Sequence, residues 1–65
     1  MTRDDIAPII LRVRQQNPAA SIAEQKALAR PEILAITRAA KREDLGKFTP
    51  EGAADQILKD WDSYQ

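Results

Sequence analysis

Apolar residues recur along this chain in three groups, each with a helical period. Ile6, Ile9, Ile10 and Val13 stand at i, i+3, i+4 and i+7, which aligns them on one side of a helix. Ile22, Ala29, Ile33, Ile36 and Ala40 form a second stripe if one helix runs through them. Ala54, Ile57, Leu58 and Trp61 form a third, and Tyr64 extends it. Nothing alternates with period two, so no sheet is expected. The pattern predicts an all-α fold over residues 1–65: a small bundle of three helices, or four if Pro31 divides the central one. The short connections favour packing of sequential neighbours.

The central segment, Ser21 to Leu45, organises the rest. Its run Ile33-Leu34-Ala35-Ile36 points all the way round a helix axis, and such a turn is dry only if covered on more than one side. In a chain this short the two flanking segments must supply that cover.

Boundary residues refine the pattern. Asp4 or Asp5 suits the first N-cap, which leaves Pro8 in the first turn, where its missing N–H costs little. The alternative is Thr2 as cap in a capping box with Asp5, which places Pro8 deeper. Asn17-Pro18 ends this helix, because a residue before proline avoids the α region. Ser21 and Glu24 have capping-box spacing at the next start. The penalty for an interior proline, roughly 3 kcal/mol, favours a corner at Arg30-Pro31 over a kinked single helix. Either way residues 32–43 are expected to be helical, with Lys41 and Arg42 in the last turn and Gly46 as the stop. Leu45 and Phe48 should turn inward. Thr49, Pro50 and Glu51 fit N-cap, N1 and N2 of the final helix. Asp60, Asp62 and the terminal carboxylate oppose the dipole there, so its last turn should fray.

Composition narrows the class. The chain is 43% apolar, but eleven of those residues are alanines. A domain of this length buries only about 60% of its unfolded surface and needs reinforcement. Cysteine is absent, which excludes disulfides and thiolate metal sites. Histidine is absent too, removing the commonest transition-metal ligand. Local helix propensity or a partner chain remains, and a homodimer is one such route. Net charge is zero, with +2 over residues 1–30, +1 over 31–48 and −3 over 49–65. Nothing draws the whole molecule to nucleic acid or to an anionic membrane. The longest purely apolar stretch, residues 6–11, cannot span a bilayer. It also lacks the flanks of a signal peptide. A cytoplasmic location and a complete small gene product, opening at its initiating Met, are the expectation.

Candidate chemistry is sparse. Without His or Cys the usual general base and the strongest nucleophile are both missing. Ser21 serves as a cap, Gly46 and Gly52 make no phosphate loop, and Asp60-Trp61-Asp62 lacks the glycine and distal glutamate of a calcium loop. The expectation is a non-enzyme without metal or cofactor. Two binding features remain. Phe48, Trp61 and Tyr64 are the only aromatics. A core role for Trp61 stands beside an interface role for the set, since Trp and Tyr dominate binding hot spots. Asp55, Asp60 and Asp62 would then ring the aromatic pair and suit a partner with a basic rim. Arg38, Lys41 and Arg42, with Lys47 beyond, form a basic set whose spacings of three and four share one helix face. It is either a solvated helix end or an anion site. A DNA-binding version would take residues 25–29 as the first helix of a degenerate helix-turn-helix, but the second helix is too apolar for a groove. The leading expectation is a small protein-protein interaction module or regulatory inhibitor acting through a helical face with Trp61, Tyr64 and Phe48. The alternative is a small DNA-binding regulator using Arg38, Lys41 and Arg42.

Overall fold

The computed structural model describes residues 2–64. Met1, the residue on which the start of the gene product was read, and Gln65, which carries the terminal carboxylate, lie outside them. Four α-helices follow in order: α1 (Arg3–Gln16), α2 (Ile22–Ala39), α3 (Arg42–Leu45) and α4 (Pro50–Lys59), with a closing 3-10 turn at Trp61–Ser63. Among the described residues there is no strand. The all-α bundle is therefore the fold.

The first helix takes the earlier of its two starts. Thr2 is extended and caps α1. Its N–H donates to the Asp5 carboxylate at 2.8 Å, and the Asp5 N–H donates to the Thr2 carbonyl at 3.1 Å. Pro8 thus lies inside the helix rather than in its first turn. Its missing N–H deprives the Asp4 carbonyl of a donor, but both residues are exposed and water can serve that oxygen. Asn17 closes α1, with its backbone N–H and its side-chain Nδ2 both donating to the Val13 carbonyl.

Ser21 caps α2, its hydroxyl accepting from the Glu24 N–H at 3.2 Å. The helix then runs through Pro31 without dividing, against the expected corner. The reason is which side the proline occupies. Pro31 and Ala27, whose carbonyl loses its donor, are both exposed. The buried row Gln25, Ala29, Ile33 and Thr37 passes uninterrupted on the other side. Solvent covers the lost bond while the core row keeps its phase.

At its far end α2 is shorter than expected. Ala40 and Lys41 are both extended, so the helix stops at Ala39 and Arg42 opens a separate single turn. The buried Thr37 hydroxyl donates to the Leu34 carbonyl at 3.0 Å. The Ala40 N–H reaches the Thr37 carbonyl at 3.3 Å, a tightened last turn. The break lets Leu45 turn inward, to 6% exposure. Gly46 ends α3 with φ +61° and ψ −123°, a backbone conformation that only glycine adopts without strain. Phe48, expected inside with Leu45, remains 38% exposed.

Thr49 caps α4 as predicted, its hydroxyl accepting from the Gly52 N–H at 3.0 Å, with Pro50 at the first position. Helices α1 and α4 both pack on α2. The core joins Ile6, Ile10 and Val13 to Ala29 and Ile33, and these to Ala54, Ile57 and Trp61. At 1.5 Å per residue, α2 is about 27 Å long, against about 21 Å for α1 and about 15 Å for α4. Neither flanking helix spans α2. That explains Ile22, which is in phase with the stripe yet 55% exposed. Ion pairs stitch the layers: Arg12 to Glu32 between α1 and α2, and Arg30 to Asp55 and Arg38 to Glu51 between α2 and α4. All six side chains are solvent-accessible, so each pair contributes at most about 1 kcal/mol.

Candidate functional site

The three aromatics, grouped by sequence as one face, separate in the fold. Trp61 is 1% exposed and belongs to the core. It cannot serve as an exposed interface anchor, because helix α4 ends at Lys59 and the following 3-10 turn swings the indole under α1. Arg14 of α1 holds it there: the guanidinium donates to the Trp61 carbonyl at 3.2 Å and lies over the ring, 5.2 Å from its centroid. Tyr64 is half-buried, with the Arg3 guanidinium 4.6 Å from its ring centroid. Phe48 is the most exposed of the three.

Phe48 and Tyr64 come together at a groove between α3 and α4, with a volume of about 400 Å³. Its buried lining is Leu45, Ala53 and Ile57, and Gly46 and Gln56 complete its sides. Three carboxylates, Glu43, Asp44 and Asp60, line it, and no cation is among the described lining residues. The expected acidic ring is thus redrawn. Asp55 turns to Arg30, and Asp62 turns to Arg14 at 3.7 Å. Asp60 alone of that set lines the groove. The acidic residues of 43–65 divide by direction: Glu51, Asp55 and Asp62 pair with arginines of α1 and α2, while Glu43, Asp44 and Asp60 line the groove.

The basic set does not form one face. Arg38 is on α2 and pairs with Glu51 at 3.5 Å. Lys41 is the exposed N-cap residue of α3, and Arg42 donates to the Phe48 carbonyl at 2.6 Å. The break at Ala40 destroys the helical register that the spacing assumed. The helix-turn-helix geometry is absent for a related reason: residues 25–36 lie within one continuous helix. Among the described residues no group of three or more side chains is placed to hold a metal ion, and no helix is long and apolar enough to cross a membrane.

The groove itself was not foreseen from sequence. It depends on the break after Ala39 and on the turn at Gly46, which bring Glu43, Asp44 and Leu45 alongside α4. Its one sequence-level signal is charge: residues 43–65 hold six acidic and two basic side chains. Comparison with protein-family models, with curated proteins and with solved structures found no match for this chain.

Proposed function

We propose that this chain is a small non-catalytic protein-protein interaction module or regulatory inhibitor of the cytoplasm, acting through the groove between α3 and α4. The observation that carries the reading is an apolar groove flanked by an exposed Phe48 and a half-buried Tyr64. Aromatic anchors beside a desolvated lining are the usual composition of a binding hot spot. Burial of Phe48 would stabilise a complex and costs the free bundle nothing, since its core is completed by Trp61.

Affinity capture from the source cell's extract tests it. The immobilised wild type is compared with Phe48→Ala, with Tyr64→Ala and with Leu28→Ala, whose position is 51% exposed on α2 away from the groove. A protein retained by the wild type and by Leu28→Ala, and lost by the two groove variants at unchanged far-UV circular dichroism, is the expected result. Retention indifferent to Phe48 and Tyr64 would move the binding face elsewhere. Duplex DNA held with a steep salt dependence would favour the nucleic-acid alternative instead.

A further inference from the structure

One side of α2 lies outside the core. Helices α1 and α4 pack against α2 where Gln25, Ala29, Ile33 and Thr37 are buried, and the pairs Arg12–Glu32 and Arg30–Asp55 mark its edges toward those two helices. The opposite side carries Glu24, Ala27, Leu28, Pro31, Ala35 and Arg38, at i, i+3, i+4, i+7, i+11 and i+14, and all six are exposed. That spacing sets them on one face of a helix. The four residues between the charged ends are apolar, and Leu28 is 51% exposed. Outward from Pro31 this face is its own complement. Ala27 and Ala35 are each four residues away, and Glu24 and Arg38, of opposite charge, are each seven residues away.

We infer that this face is the seam of a homodimer, in which α2 packs against α2 of a second copy, antiparallel about a two-fold axis at Pro31. Glu24 of each copy then meets Arg38 of the other, Ala27 meets Ala35, and the two prolines meet at the axis. A parallel pairing would set Glu24 on Glu24 and Arg38 on Arg38, and like charges across a seam repel. Neither charge gives up its present partner. Glu24 accepts from the Ser21 hydroxyl at 3.3 Å and Arg38 pairs with Glu51 at 3.5 Å, and both side chains are exposed enough to meet a second charge. Pro31 also removes the helical donor of the Ala27 carbonyl. In this register Arg38 of the second copy comes within one turn of that oxygen, and its several N–H groups can serve carboxylate and carbonyl together. The face is about 21 Å long, at the small end of specific interfaces, so the dimer is weak and forms at high concentration. No residue lining the α3–α4 groove is on α2. The dimer therefore presents two open grooves, which gives avidity for a multivalent partner.

Sedimentation equilibrium of the full chain, run from about 10 µM to about 1 mM, tests it. The wild type should move from the mass of one chain toward that of two. Glu24→Lys alone and Arg38→Glu alone each set like charges together at both ends of the seam, and each should weaken the dimer about tenfold. An equimolar mixture of these two variants should recover it, because both ends then pair opposite charges again. Ala35→Arg obstructs the seam at an exposed position and brings in a good helix former. It should dissociate the dimer at unchanged far-UV circular dichroism, and it remains informative if a charge variant is unstable. A photo-crosslinker at Leu28 should join the chain to a second copy of itself. A chain that stays monomeric at about 1 mM, a dimer indifferent to Ala35→Arg, or a mixture no tighter than either variant alone would overturn the inference. So would a dimer that Phe48→Ala dissociates and Ala35→Arg does not, since the seam would then lie in the groove.

Discussion

Arg14 clamps Trp61. The guanidinium donates to the Trp61 backbone carbonyl at 3.2 Å, lies 5.2 Å from the centroid of the indole ring, and pairs at 3.7 Å with Asp62 beside it. One side chain of α1 thereby fixes the C-terminal turn, and with it the last piece of the core. Arg14→Ala removes the hydrogen bond and the cation–π contact together, at a cost of about 1–2 kcal/mol. For a domain of this size that lowers the midpoint by roughly 4–8 °C per kcal/mol. Thermal unfolding followed at 222 nm checks it, and an unchanged midpoint would mean that the clamp contributes nothing.

Trp61 itself should emit at a blue-shifted wavelength in the isolated protein, since it is 1% exposed. Binding at the groove should leave that maximum unmoved, because Trp61 does not line the groove. Its indole Nε1 is buried without a hydrogen-bond partner among the described residues, so Trp61→Phe removes an unsatisfied donor along with some volume. Trp61→Ala, by contrast, costs about 3–5 kcal/mol and should leave the chain largely unfolded. A solvent-like emission maximum from the native protein would remove Trp61 from the core.

Pro31 interrupts the hydrogen bonding of α2 on its exposed side and touches no buried row. Pro31→Ala restores the N–H to the Ala27 carbonyl. The intrinsic gain of about 3 kcal/mol is offset by the greater freedom of the unfolded chain, up to about 1 kcal/mol. A net stabilisation of about 2–3 kcal/mol is expected, and urea denaturation measures it. Loss of stability in this variant would show that the proline holds a bend that the bundle needs.

Most of the fold was legible because caps and periods are local. Ser21 with Glu24, Asn17-Pro18 and Thr49-Pro50 mark their boundaries by chemistry within three or four residues, and each marks the same boundary in the structure. Pro31 was misjudged because local energetics assign its full penalty. They do not see that the lost bond faces water while Ala29 and Ile33 remain locked in the core. Ile22 was misjudged in the opposite sense: phase places it on the inner face, but reach depends on how far α1 and α4 extend along α2. The groove was invisible for a third reason. It forms between residues that meet only because α2 stops at Ala39, and no motif there announces a stop.

Gly46 is the hinge of that arrangement. A Cβ added to it would meet nothing within 4 Å, so the cost of Gly46→Ala is conformational and comes from φ +61° alone. About 1–3 kcal/mol of destabilisation is expected, with α3 displaced from α4. Guanidinium unfolding measures the loss. Full stability in Gly46→Ala would show that the turn relaxes to another backbone geometry at no cost.

The most direct measurement places a photo-crosslinking amino acid at Phe48, and in a separate variant at Leu28, and irradiates each in the living source cell. The account predicts one discrete adduct with a different protein from position 48 and none from position 28. Adducts that form equally from both positions, or from position 28 alone, would contradict the assignment of the α3–α4 groove as the binding face.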